Sequence, residues 1–288
     1  MVQKEIELLL GETASGKTDL LKERSKKEKF VVFNCDSRQI YKFLDIGTAK
    51  PDKDFLERVR HYFVDIVEYN QNFSAGDFLR KFKEYVESED KKIILSVGTP
   101  FYLNSLIYGL DDIPDVSIET KKKVENILKD KGIFYLYELL KKVDPKRAEE
   151  LNRNDKQRIA RSLEVYFETN KPISSFYKKK KSVDFKIKKV NYIFLDKDQL
   201  RLRISKRVER MVSRGLIEEV EKIMSIYGEN IFYEKPVIGY FETLEYIKGL
   251  ITKDKMKEKI VRNTLLLVKR QRTFFKKIVK DLNDVHFI

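Results

Sequence analysis

Ile6-Glu7-Leu8-Leu9-Leu10 is a short apolar run stopping at Gly11, the pattern of a buried strand that feeds a glycine-bounded loop. A helical spacing follows from Thr18 through Lys29, and Phe30 to Cys35 reads as a second strand. His61 to Ile66 is a weaker strand pattern. Asp77 to Ser88 has apolar residues at helical intervals, Ile93 to Val97 is a third strong strand, and Tyr102 to Tyr108 is helical again. Strands alternating with helices predict a parallel α/β sheet whose ligands sit at the carboxyl ends of the strands.

The texture changes after Asp111-Asp112-Ile113-Pro114. From Ile118 to Thr169 every periodic segment is helical. Lys171-Pro172 and the lysine run Lys178 to Lys181 mark a loop, and Val190 to Leu195 reads as a returning strand. The rest is mostly helical, with breaks around Gly228 and Pro236. The expected fold is therefore an α/β core, 1–114 and 186–288, interrupted by an all-helical insertion, 115–185.

Composition narrows the function. Sixty Lys and Arg against 46 Asp and Glu give a formal charge of +14, which favours a polyanionic partner, nucleic acid ahead of a membrane surface. The single cysteine, Cys35, excludes an intramolecular disulfide or a cysteine zinc cluster. His61 and His286 stand far apart, against a histidine metal site or triad. With no signal-like N-terminus and no apolar run of about 18 residues, a cytoplasmic protein is expected.

Gly11-Glu12-Thr13-Ala14-Ser15-Gly16-Lys17-Thr18 fits G-x-x-x-x-G-K-[ST] after a strand and before a helix, the context a phosphate loop requires. Its backbone N–H groups and the helix N-terminus cradle phosphate oxygens, Lys17 brings a cation, and the Thr18 hydroxyl suits Mg²⁺. Phosphoryl transfer also wants a carboxylate at a strand end. The third strand ends instead in Gly98-Thr99, so Asp36 is the best acidic candidate near the loop, with Asp65 and Asp196 more remote. Ser37, Gln39, Tyr41 and Lys50 around it suit a polar organic group as well as a metal shell.

These motifs resemble those of the tRNA dimethylallyltransferases. The likeness runs through the phosphate loop, the block DSRQIYKFLDIGTAKP from Asp36 to Pro51, Phe73 to Phe78 and Gly98-Thr99-x-x-Tyr102. It continues in Asn154-Asp155-x-Gln157-Arg158-x-x-Arg161, Leu200-x-x-Arg203-Ile204-x-x-Arg207, Ile238-Gly239-Tyr240 and Lys269-Arg270-Gln271. The resemblance implies a phosphate-loop NTPase-like fold and a Mg²⁺-dependent transfer of a dimethylallyl group from dimethylallyl diphosphate. The acceptor would be N6 of the adenosine 3′ of the anticodon, everted into a channel. It implies Asp36 as general base with Thr99 beside the reacting amine. Gly11, Thr13, Ala14, Ser15, Gly16, Lys17 and Thr18 would hold the diphosphate, with Arg203 or Arg207. Asp36, Ser37, Arg38, Gln39, Thr99, Lys121 and the run Gln157, Arg158, Ile159, Ala160 and Arg161 would contact tRNA, and a monomer is expected.

Spacing alone leaves other roles open. Asp36 also suits a cap and Thr99 a turn, Arg203 and Arg207 share one helix side with Glu209 nearby, and Asn154 suits a helix N-cap. Ile159, Leu163, Tyr166 and Phe167 fall on one face of that helix, opposite Gln157, Arg158 and Arg161. Lys269, Arg270 and Arg272 stand on an amphipathic helix whose Leu265, Leu266, Val268, Phe274 and Phe275 read as core. Glu12 replaces the proline usual in the family, Val97 a glycine, and Leu265-Leu266 an Arg-Gln pair. A small-molecule kinase and a nucleotide-gated RNA-binding module are the competing functions.

Overall fold

The computed structural model describes residues 4–177 and 185–288, so the lysine run Lys178 to Lys181 lies outside the described residues. The chain forms two compact units, Met1–Ile107 with Val183–Ile288, and Tyr108–Ser182.

The first unit opens with β1 (Glu5–Gly11), α1 (Lys17–Arg24), β2 (Val31–Cys35), α2 (Lys53–Arg58), β3 (His61–Tyr62), α3 (Ala75–Ser88), β4 (Ile93–Val97) and α4 (Pro100–Tyr108). The second unit contains α5 (Ile118–Val143), α6 (Pro145–Glu150), α7 (Lys156–Thr169) and a 3-10 turn at Ile173–Phe176. The chain then returns through β5 (Lys186–Ile193), α8 (Lys197–Ser213), α9 (Leu216–Tyr227), α10 (Ile231–Glu234), α11 (Tyr240–Ile247), α12 (Lys253–Val279) and β6 (Val285–Phe287).

All six strands are parallel, in the order β3-β2-β4-β1-β5-β6. A parallel sheet covered on both faces needs continuous apolar strands. Ile6, Leu8 and Leu10 accordingly enter one core layer, while Leu9 enters the opposite one with Leu21, Phe30 and Val32. A third cluster joins Ile40, Tyr41, Leu44 and Tyr69 to side chains of α8, α9, α11 and α12.

Several elements differ from the sequence reading, β5 among them, which starts at Lys186 and ends at Ile193. Helix α1 stops at Arg24, because from Lys22 to Lys29 no apolar side chain is available to anchor another turn. The strand expected over His61 to Ile66 is limited to His61–Tyr62, since Phe63 and Asp65 take φ of 64° and 56°, outside extended geometry. Gly215, at φ 97°, and Gly249, at φ 70°, divide the C-terminal helices at two further places. Strand β6 carries no local signal and exists by pairing Val285 with Val190 and His286 with Asn191.

In the second unit, Val124, Leu136, Leu140, Ile159 and Leu163 form a separate core. Gly132, at φ 76°, kinks α5. The N-cap of α7 is Asp155 rather than Asn154, its carboxylate accepting from the Arg158 N–H at 3.2 Å.

Candidate active site

Three neighbouring strand ends build the site. Val97 pairs with Cys35 on one side and Leu10 on the other, so Asp36, Gly98 and Gly11 leave the sheet side by side at its carboxyl edge. Asp36 Oδ1 accepts the backbone N–H groups of Arg38 (2.8 Å) and Gln39 (3.3 Å), which fixes the carboxylate as a cap on its own turn. Its Oδ2 faces Gly98, where a Cβ would stand 2.9 Å away. Glycine at 98 is what leaves room for the acid. Thr99 N–H donates to the Cys35 carbonyl at 2.8 Å, and Thr99 Oγ1 accepts the Ser37 N–H at 2.9 Å. The hydroxyl thus ties the β4 end to the Asp36 turn, which makes the turn role real and keeps Thr99 beside the acid.

The loop after β1 turns through Ala14 and Gly16, at φ 66° and 106°. Lys17 Nζ is folded back onto the carbonyls of Gly11 (2.6 Å) and Glu12 (3.1 Å). Burial pushes this ammonium down to about 8, with Asp36 opposing the fall and Arg207 adding repulsion. Arg203 reaches Asp19 at 3.3 Å and lies against Gly16, and Arg207 donates to the Thr48 carbonyl at 3.0 Å. Burial and the nearby Arg210 push the Arg207 guanidinium below its usual range, against the attraction of Asp36.

Two cavities meet here. One, of about 330 Å³, runs along Thr13 to Thr18 and is ringed by Arg203, Arg207, Arg210 and Arg214. The other, of about 380 Å³, is walled by apolar side chains including Val208, Val237, Ile238 and Ile260, with Ser37, Arg38, Thr99 and Arg270 at its polar parts. Thr13, Asp36, Thr48, Gly98, Arg207 and Met211 line both. A phosphate-binding compartment and an apolar compartment therefore share a wall that holds one carboxylate.

The sequence reading left the roles of several residues unassigned. Gln271 accepts the Thr13 N–H at 3.0 Å and donates to the Gly98 carbonyl at 2.6 Å, bracing the loop against the β4 end. Its partners lie 258 and 173 residues away, so the Lys269-Arg270-Gln271 motif marks the residue but not this role. Arg210 and Arg214 continue the helical spacing of Arg203 and Arg207, a signal that was legible. Glu12, the acid inside the loop, is fully buried and turned away from the anion cradle. It accepts from Arg272 Nε at 2.8 Å and from the Tyr192 hydroxyl at 2.9 Å.

Other expectations are corrected. Lys50 lines the cavity along the phosphate loop with its ammonium bound to Asp45, Asp65 and the Tyr41 carbonyl, while the buried Tyr41 lines neither cavity. Gln39 spends its amide on Asn34 and on the carbonyls of Thr48 and Ala49, shaping the wall. Ile159 is wholly buried in its own unit, which removes its side chain from any RNA contact, whereas Gln157 and Arg158 are exposed. Arg161, half-buried, reaches the Pro114 carbonyl at 3.3 Å, and Lys121 is exposed on α5. Leu266 is 49% exposed, while Val268 and Phe275 are core. Among the described residues no cluster of three metal-ligating side chains exists and no helix is long and apolar enough to cross a membrane.

A parallel sheet with a Gly-x-x-x-x-Gly-Lys-Thr loop at its central strand end places the chain in the phosphate-loop class of α/β proteins. Within that class it belongs to the IPP transferase family, whose model matches residues 39–278. It is 38% identical over 279 residues to a tRNA dimethylallyltransferase of Acetivibrio thermocellus, covering 94% of this chain and 88% of that one. The Sulfurihydrogenibium enzyme of the same name is 38% identical over 275 residues, with 93% and 87% covered. The tRNA isopentenylpyrophosphate transferase of Bacillus halodurans superposes with a TM-score of 0.65 at 28% identity, over 99% of this chain and 89% of that one. A eukaryotic dimethylallyltransferase, solved while acting on tRNA, gives a TM-score of 0.79 at 25% identity, over 99% and 73%.

Proposed function

We propose that the protein transfers a dimethylallyl group from dimethylallyl diphosphate to N6 of the adenosine 3′ of the anticodon, releasing diphosphate and leaving N6-isopentenyladenosine. The observation that carries this reading is the shared wall: Asp36 borders a cationic compartment sized for a diphosphate and an apolar compartment suited to a prenyl chain and a purine.

The exocyclic amine attacks the carbon that bears the diphosphate, the C–O bond breaks, and its electron pair leaves with the diphosphate. An N6 proton passes to the Asp36 carboxylate, held by the Arg38 and Gln39 N–H groups. The same carboxylate selects an amino-bearing base by accepting its N–H. Lys17, the loop N–H groups, Arg203 and Arg207 stabilise the charge that develops on the leaving oxygen. Thr99 acts by fixing the Asp36 turn.

The donor set fits a Mg²⁺ ion held chiefly by substrate oxygens: the Thr18 hydroxyl lines the phosphate compartment, and no carboxylate cluster accompanies it among the described residues. Such an ion would neutralise the diphosphate. For RNA, the reading assigns Ser37 and Arg38 at the apolar compartment, and Lys121, Gln157, Arg158 and Arg161 of the helical unit, to the anticodon stem-loop.

Incubating the protein with an unmodified anticodon stem-loop, dimethylallyl diphosphate and Mg²⁺ should add one prenyl mass per RNA. An RNA with guanosine in place of that adenosine should gain none. Phosphorylation of a small acceptor with RNA left unmodified would contradict the reading.

A further inference from the structure

Arg203, Arg207, Arg210 and Arg214 recur at i, i+4, i+7 and i+11 along α8 and its C-cap, one stripe of a helix with 3.6 residues per turn. All four line the phosphate compartment. The proposed reaction uses only two of them. Arg203 lies against the loop at Gly16 and Arg207 beside Asp36, whereas Arg210 and Arg214 are exposed further along the helix. Arg210 reaches the Lys206 carbonyl at 3.4 Å, and among the described residues neither it nor Arg214 is held in a salt bridge.

Geometry separates the two pairs. At 1.5 Å of rise per residue, Arg214 stands roughly 16 Å along the axis from Arg203, beyond the reach of one diphosphate seated on the loop. Like charges are also crowded: Arg210 repels Arg207, and Arg207 repels Lys17. An ordered row of cations whose outer end meets Asp52, a carboxylate already bound to Lys22, is relieved by a bound anion.

We propose that Arg210 and Arg214 form an outer anion subsite that holds the diphosphate group of the prenyl donor before it reaches the loop, and the released diphosphate as it leaves. This inference rests on the prenyl-transfer reading for its occupant. A small diphosphate is favoured over an RNA phosphate because the stripe is continuous with Arg203 and Arg207 and belongs to the compartment of the phosphate loop. The subsite raises the local concentration of donor at the compartment's entrance, an effect that salt suppresses.

Calorimetric titration with inorganic diphosphate at low ionic strength tests it. The wild-type chain should show a tight site and a second one weaker by at least about tenfold, since partly exposed charges bind modestly. Arg210→Gln/Arg214→Gln should keep the tight site and lose the weaker one. Arg201→Gln/Lys206→Gln removes the same charge from α8 away from the compartment and should keep both. A single site in the wild-type chain, a weaker site that survives in Arg210→Gln/Arg214→Gln, or equal loss in the control overturns the proposal. So does loss of affinity for the stem-loop RNA with both diphosphate sites intact, which would assign the stripe to RNA. Failure of the prenyl-transfer reading shows separately, as RNA that never gains mass.

Discussion

Glu12 illustrates how one residue is accommodated against the grain of its motif. A carboxylate in an anion-binding loop should repel the ligand, yet here it is buried and bound to Arg272, whose guanidinium also donates to the Leu195 carbonyl and stacks on Phe194. Its Oε2 has no hydrogen-bond partner among the described residues. Removing one partner of a buried pair is far worse than removing both. Arg272→Met should cost about 3 kcal/mol of stability in chemical denaturation and weaken diphosphate binding, while Glu12→Gln/Arg272→Met recovers most of both. Additive losses would show that the pair does not hold the loop. Lys17 gives a pH signature at the same scale. Burial holds its ammonium at about 8, and diphosphate binds the protonated form. Affinity for inorganic diphosphate, measured by calorimetry and divided by that of Lys17→Met so that the ligand's own titration cancels, should fall as pH rises through 8. An affinity that rises over that range would contradict the role given to Lys17.

The block from Asp36 to Pro51 shows what one element does. Its polar residues serve the fold more than the ligand. Glu219 on α9 accepts the N–H groups of Asp45 (3.2 Å), Ile46 (2.8 Å) and Gly47 (3.2 Å), and the Tyr240 hydroxyl at 2.6 Å. Gln39 secures Thr48 and Ala49, and the Thr48 carbonyl then receives Arg207. The Tyr240 ring presses on Gly47 so closely that a Cβ there would stand 2.3 Å from it. Since Tyr240 is wholly buried, the ring has nowhere to go. Gly47→Ala should therefore cost about 3 kcal/mol by overpacking, read as a lower denaturant midpoint, and reduce diphosphate affinity through Arg207. A fully stable variant would contradict the packing.

Elements were legible in the sequence where local periodicity coincides with burial. Strands β1, β2 and β4 and helix α3, with its Ser74–Asp77 capping box, fall where the apolar pattern puts them. The phosphate loop and Asp36 were legible because their chemistry is contiguous in the chain. The bracing role of Gln271, the part of Glu219 and strand β6 were not, because each acts through partners far away in sequence, and a three-residue strand offers no periodicity of its own. The polar side chains around Asp36 misled for a related reason. Composition shows that Gln39, Tyr41 and Lys50 are polar or aromatic, and only the packed loop shows that Tyr41 is buried and that Gln39 and Lys50, on the cavity wall, are bound to protein groups.

For the whole molecule, a formal charge of +14 supplies the attraction for a polyanion, and the two compartments supply the chemistry. If the helical unit grips RNA as proposed, Arg158→Gln/Arg161→Gln should weaken stem-loop binding at every sequence and reduce the salt slope by about two, with inorganic diphosphate binding unchanged. An unaltered slope would remove these arginines from the interface. The central claim is that Asp36 takes the proton from the attacking amine while the loop holds the departing diphosphate. Single-turnover prenylation of the anticodon stem-loop by Asp36→Asn, followed by RNA mass, tests it most directly. A rate lower by about 10²- to 10⁴-fold, with inorganic diphosphate and RNA bound as tightly as by the wild type, is the expected result. Prenylation at the wild-type rate would contradict it.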